Sequence, residues 1–162
     1  MKVVGIDPGT AACGYGIVHV RDGRIKALGH GWWQTPAGQR PELRLRTIFE
    51  GVRELIEEHT PDAVVLEESF VGADARTALS VGQARGVVLV ASALAGVECA
   101  EYAPSRVKQA VCGYGRAEKA QVARMVKAIL SLEEIPSPSH ASDALAVAIC
   151  HALAPPLLRQ VS

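Results

Sequence analysis

Residues 63–68, A-V-V-L-E-E, run from four consecutive apolar side chains straight into two glutamates. A strand with one wet face alternates apolar and polar residues. A short run that is apolar at every position is the pattern of a strand covered on both faces, inside a sheet with helices on either side. Glu67 and Glu68 then stand at its carboxyl end, the edge at which open α/β sheets hold ligands.

The flanking segments supply the layers. Upstream, Leu45, Ile48, Phe49, Val52, Leu55 and Ile56 fall on one face of an α-helix, stopped by Thr60-Pro61-Asp62. At the N-terminus K-V-V-G-I, residues 2–6, reads as a strand ending in a turn at Asp7-Pro8-Gly9. Residues 15–20 and 24–33 read as two more strands around Arg21-Asp22-Gly23, an antiparallel meander. Adjacent Trp32 and Trp33 should face opposite sides of the last of them. Downstream the pattern predicts a long helix over 74–95, a strand over 97–102, and helices near 105–111, 117–130 and 139–153. No linker or repeat interrupts the chain. The expectation is a single α/β domain over residues 1–162, with a five-stranded mixed sheet flanked by helices.

Composition narrows the function classes. Lys and Arg number 17 and Asp and Glu number 17, so the net charge is zero and any surface for a polyanion must be local. The longest uncharged apolar run, Gly86 to Val97, has twelve residues, short of the ~20 that span a bilayer, and Met1-Lys2 leads into a strand and not a signal-peptide core. The expectation is no membrane association. Cys13, Cys99, Cys112 and Cys150 are scattered without a C-x-x-C pair, which reads as reduced thiols in a cytoplasmic protein and argues against a zinc site.

Asp7 ends the first predicted strand, as Glu67 and Glu68 end the fourth. If those strands are parallel neighbours, their acids meet at one edge. Two carboxylates ~4 Å apart repel by about 4 kcal/mol at an effective dielectric of ~20, so the cluster needs a cation or a proton. Open oxygen donors suit Mg²⁺ or Mn²⁺; solvated strand ends are the alternative. The last helix adds candidates. Ser137-Pro138 looks like an N-cap with proline in the first turn, and Ala141, Ala144, Leu145, Ala148, Ile149 and Ala152 form an apolar stripe. His140 and Asp143 are three apart at its edge, either aimed at a metal or serving as a surface histidine and an acid favoured by the helix dipole.

Charge is also segregated. Seven acids and no Lys or Arg lie between Glu54 and Asp74, whereas Pro104 to Lys127 carries six basic residues, including Lys108 and Lys119, against Glu118 alone. An acidic pocket beside a basic wall can hold metal ions and grip a polyanion. Phe70, in a glycine-containing loop, is a candidate for base stacking or for a core plug.

Taken together, G-I-D-P-G at 5–9, G-Y-G at 14–16, V-L-E-E-S-F at 65–70, G-Q-A-R-G at 82–86, V-K-Q at 107–109, A-E-K at 117–119 and S-D-A-L-A at 142–146 resemble the RuvC family of bacterial Holliday junction resolvases. The matches keep the family's order over most of the chain. The resemblance implies an RNase H-like fold and a homodimer that resolves a four-way DNA junction by paired symmetric nicks, leaving ligatable ends. By position Asp7, Glu67 and Asp143 match three of the family's four metal-binding acids, and Glu67 is favoured over Glu68, which spacing alone leaves open. The fourth place falls on His140, where many members carry aspartate and some histidine. Lys108 and Lys119 match basic residues implicated in catalysis or DNA contact, Phe70 matches an aromatic acting at the junction centre, and Arg76 is a further expected DNA contact. Partnership with the branch-migration complex RuvA–RuvB rests on the resemblance alone.

The mechanism this implies is two-metal phosphodiester hydrolysis with two divalent cations per subunit. Asp7 bridges them, Glu67 lies on one side, and His140 and Asp143 on the other; the product carries a 5′ phosphate. Lys119 or Lys108 stabilises charge on the phosphate in the transition state. Histidine in place of a carboxylate predicts weaker Mg²⁺ binding and a bias toward Mn²⁺, and metal binding that weakens in mild acid, because the ring must be neutral to coordinate. A two-fold junction is cut twice, which a C₂ homodimer accomplishes economically. Ala78, Gly82 and Gly86 make a small-residue stripe for that contact, or for packing on the chain's own sheet. The rival readings are a non-catalytic nucleic-acid-binding module of the same fold, and an actin-like ATPase fragment suggested by D-P-G-T, for whose second domain the chain has no room. Cys150-His151 reads as packing.

Overall fold

A computed structural model describes residues 1–9, 11–68 and 75–155. Asp22 and Gly23 both take positive φ, 51° and 73°, and join strand β2 (Ala12–Arg21) to β3 (Arg24–Gln34) through a two-residue loop. Positive φ at both loop positions gives the turn whose twist matches that of the flanking strands. Strand β1 (Lys2–Pro8) pairs antiparallel with β2 and parallel with β4 (Ala63–Glu67), and β4 pairs parallel with β5 (Glu98–Tyr102). The sheet order is therefore β3-β2-β1-β4-β5, five strands of mixed direction, as the patterning predicts.

The turn expected at Asp7-Pro8-Gly9 starts later. Asp7 and Pro8 remain in β1, opposite Gly14 and Cys13 of β2. Proline is tolerated because it is the last residue of the strand and the ladder to β4 has already ended at Ile6 and Leu66.

Helices α1 (Pro41–His59) and α2 (Ala75–Leu94) cover one face of the sheet, where Ile48, Val52 and Val88 pack against Val4, Ile6, Val64 and Leu66. Helices α3 (Pro104–Cys112), α4 (Lys119–Leu130) and α5 (Ser139–Leu153) cover the other, with Leu145 and Ile149 against Val3, Val18 and Val65. β1 and β4 are thus buried on both faces, which is why they read as unbroken apolar runs. Trp33 turns inward and stacks on Tyr15, ring centroids 4.8 Å apart, while Trp32 is exposed.

Helix α5 is the central element of its layer. From Ala141 to Ala152 every residue is buried except Asp143. Its backbone lies directly on the sheet: a Cβ added at Gly5 would come within 2.0 Å of the Ala144 carbonyl oxygen, and one at Gly14 within 2.1 Å of that of His140. The start of α5 differs from the expected cap. Pro138 itself holds the N-cap position in extended conformation, its carbonyl accepting the Ala141 N–H at 3.0 Å. Ser137 stands one residue too far back for its hydroxyl to serve as the cap.

Among the described residues α2 is long and apolar enough by composition to cross a bilayer. It instead seats Ala84, Val88, Ala91 and Ser92 on the sheet, and Arg85 forms a two-pronged ion pair with Glu101 of β5. Open space adjoins Gly82 and Gly86, so the small-residue stripe does not pack on the chain's own sheet. All four cysteines are free thiols. The His151 imidazole meets the Tyr102 hydroxyl at 2.9 Å inside the core, and Cys150 is buried nearby, so this pair serves packing as expected.

Candidate active site

The period of a strand decides which acids can meet. Val3, Gly5 and Asp7 of β1 face α5, as do Ala63, Val65 and Glu67 of β4, because alternate residues share a face. The parallel register, Ile6 beside Leu66, carries Asp7 and Glu67 to the same sheet edge. Glu68 falls on the opposite side, exposed, and its backbone N–H donates to Tyr102 O at 2.9 Å. The face occupied by α5 therefore selects Glu67, a choice spacing alone leaves open.

The glycines let α5 descend far enough to bring its own side chains to that edge. His140 Nδ1 approaches Asp7 Oδ2 at 2.7 Å. One turn on, Asp143 Oδ2 receives Lys119 Nζ from α4 at 2.6 Å. Lys119 is the first residue of α4, where the helix dipole disfavours a cation; the carboxylate partner compensates. The segment is anchored by Gln121, whose Oε1 accepts the Glu118 backbone N–H at 2.9 Å. This E-x-x-Q spacing is a helix-start signal visible in the sequence, and it explains why α4 begins at Lys119 and not at Ala117. Glu67, Asp143, Lys108 and Lys119 line one cavity of about 260 Å³.

The electrostatics are those of crowded acids. Burial pushes Glu67 up to about 7, and the charges of Asp7 and Asp143 push the same way, against Lys108 and Lys119. Burial also raises Asp7; its hydrogen bond to His140 opposes that and the charge of Asp143 adds to it. For Lys119 burial favours the neutral amine, yet the hydrogen bond and charge of Asp143, with Asp7 and Glu67 behind it, win and raise it. Surplus negative charge at this edge is thus held partly in check by protons and lysines.

No three of the described His, Cys, Asp and Glu side chains close into a metal cage, since His140 and Lys119 each engage one carboxylate. The donor set still fits a hard divalent cation: three carboxylates and an imidazole share one edge, and protonation of the acids is favoured when nothing else neutralises them. Phe70 lies outside the described residues. Arg76 is exposed in the first turn of α2, the helix layer on the opposite face of the sheet.

The family model described as crossover junction endodeoxyribonuclease RuvC matches residues 3–151. A protein of that name from Moorella thermoacetica is 55% identical over 152 residues, spanning 94% of this chain and 91% of its own. The Thermus thermophilus RuvC structure superposes with a TM-score of 0.88 at 41% identity, covering 94% of both chains. T. thermophilus RuvC in complex with Holliday junction substrate superposes at 0.86 with 39% identity, again over 94% of each chain. With nearly the whole chain matched in sequence and in backbone, and the acids of β1, β4 and α5 gathered at one sheet edge, this chain belongs to the RuvC family of crossover junction endodeoxyribonucleases.

Proposed function

We propose that this chain is a structure-selective nuclease that resolves four-way DNA junctions by paired, symmetric phosphodiester hydrolysis, leaving 5′ phosphate and 3′ hydroxyl ends. One observation carries the reading: three carboxylates from β1, β4 and α5 and two lysines from α3 and α4 converge on one edge of the sheet. A binding module has no use for buried acids next to a polyanion, because they repel the phosphates that its lysines attract.

Asp7, Glu67, Asp143 and His140 would hold two divalent cations per subunit, Mg²⁺ or Mn²⁺. Bound there, such ions supply a water deprotonated at neutral pH and neutralise charge on the leaving oxygen. The protein's own groups do the rest. Lys119, fixed by Asp143, offers its ammonium to charge that develops on the phosphoryl oxygens, and Lys108 adds a second cation in the same cavity. His140 Nδ1 stands 2.7 Å from Asp7 Oδ2, so the imidazole and the carboxylate that would share an ion already face each other at this edge.

Two nicks at a two-fold junction call for two such edges, and a homodimer supplies them. The outward face of α2, with Leu79, Val90 and Leu94 beside Gly82 and Gly86, is apolar and exposed, and we assign the dimer contact to it.

The test is incubation of a strand-labelled synthetic four-way junction with the protein and either metal, beside Asp7→Asn. Two symmetric nicks that DNA ligase can seal, lost in the variant, support the proposal. Junction binding without cleavage under any divalent metal would leave a non-catalytic module.

A further inference from the structure

Gly9 also lines a second, smaller cavity of about 60 Å³, with Thr35, Arg44, Ser80 and Gln83 among its walls and no acidic side chain among the described residues. Buried side-chain polar atoms without any partner are three among the described residues, and two of them are here: Thr35 Oγ1 and Arg44 Nε. Thr35 is 1% exposed. A hydroxyl and a guanidinium N–H are both donors, and burying them unpaired is destabilising. Folded chains satisfy nearly all such groups, so two orphans on one cavity wall point to a missing acceptor.

We infer that this cavity binds a phosphodiester group of the DNA strand next to the scissile one, with Arg44 and Thr35 as donors. The inference rests on the nuclease reading above. An acceptor-only anion suits Arg44, whose planar fork can pair with two phosphate oxygens at once. Ser80 and Gln83 bring further donors from α2, and among the described residues no carboxylate lines the cavity.

The placement suits that ligand. β3 runs parallel to β1, both being antiparallel to β2, so Thr35, just beyond β3, stands at the sheet edge that carries Asp7. Its backbone N–H donates to Ala11 O at 2.9 Å, tying it to the loop after β1. Gly9 is the partition: a Cβ there would sit 3.1 Å from His140 Cε1, while the same residue lines the cavity. A strand that presents one phosphate to Asp7 would cross the sheet edge that also carries Thr35.

The experiment is binding of a synthetic four-way junction, by fluorescence anisotropy without divalent cations over a range of KCl, for wild type, Thr35→Val, Arg44→Gln and Arg44→Lys. Arg44→Gln should weaken binding and flatten the slope of log affinity against log salt by about 0.7–0.9, one phosphate's worth. Arg44→Lys should keep the slope. Thr35→Val should weaken binding about threefold or more while its Tm holds or rises, because an isosteric methyl replaces an orphan hydroxyl. A cavity that holds only structural water predicts a Thr35→Val protein with wild-type affinity, and that result overturns the site even if Arg44→Gln fails to fold. Wild type that binds no junction overturns the nuclease reading first; wild type that binds, with variants indistinguishable from it, overturns this inference alone.

Discussion

His140 Nδ1 lies 2.7 Å from Asp7 Oδ2, linking the first turn of the last helix to the end of the first strand across 133 positions of sequence. The hydrogen bond makes the histidine part of the acid cluster's own neutralisation, since it opposes the rise that burial imposes on Asp7.

His140→Asp therefore exchanges a donor for a further carboxylate against Asp7. The metal-free variant should melt below wild type at pH 8 and gain more from added Mg²⁺ than wild type does. Its ratio of cleavage in Mn²⁺ to cleavage in Mg²⁺ should drop, because an oxygen donor replaces a softer nitrogen. Equal cleavage in the two metals, unmoved by the substitution, removes the proposed role of the ring in metal choice.

Glu67 gives the metal-free protein a pH signature. Its folded-state value of about 7 lies above the ordinary 4.5, so between those pH values the unfolded chain releases the proton first. Stability from this group falls as pH rises through that window and is lowest above pH 7. In chelator, Glu67→Gln should melt above wild type at pH 8, with the difference closing toward pH 4.5. Parallel melting curves over the whole range would contradict the burial and charge assigned to Glu67.

Lys119→Met removes the cation held 2.6 Å from Asp143. Single-turnover junction cleavage should slow by about 10²–10³-fold, the scale of losing one charge-stabilising donor. Junction affinity should change far less, as one contact among many. Equal losses in affinity and rate would make Lys119 a binding residue only.

Gly5→Ala probes the seating of α5. The new methyl would meet the Ala144 carbonyl at 2.0 Å, and relief requires the helix to lift. Overpacking of this kind costs about 1–3 kcal/mol, readable by urea denaturation. Cleavage should fall in the surviving folded protein, because the same helix carries His140 and Asp143. Full activity with unchanged stability would show that close approach is not what the glycine provides.

Val90→Glu places a charge on the exposed apolar face of α2. Wild type should sediment as a dimer at micromolar concentration and the variant as a monomer that still binds divalent metal. A wild-type monomer under those conditions would refute the assigned interface.

Much of this was legible in the chain itself. The apolar run at 63–66, the i, i+3, i+4 pattern of α1 and the Asp22-Gly23 hairpin are local signals, and local signals survive without a partner surface. The acids at the ends of β1 and β4 were likewise visible, as was the stripe of α5. Placement of side chains relative to one another was not. Spacing cannot separate Glu67 from Glu68, because the answer depends on which face of the sheet α5 occupies. Nor does it show that His140 meets Asp7, that Asp143 holds Lys119, or that Thr35 and Arg44 share a cavity in which neither finds a partner. The cap expected at Ser137 falls on Pro138 for the same reason: where a helix begins, to within one residue, is settled by packing along its length. Propensity and periodicity act over a few residues and specify elements. Register and the close descent of a helix onto glycines act across more than a hundred, and they alone decide which charged groups must live beside each other.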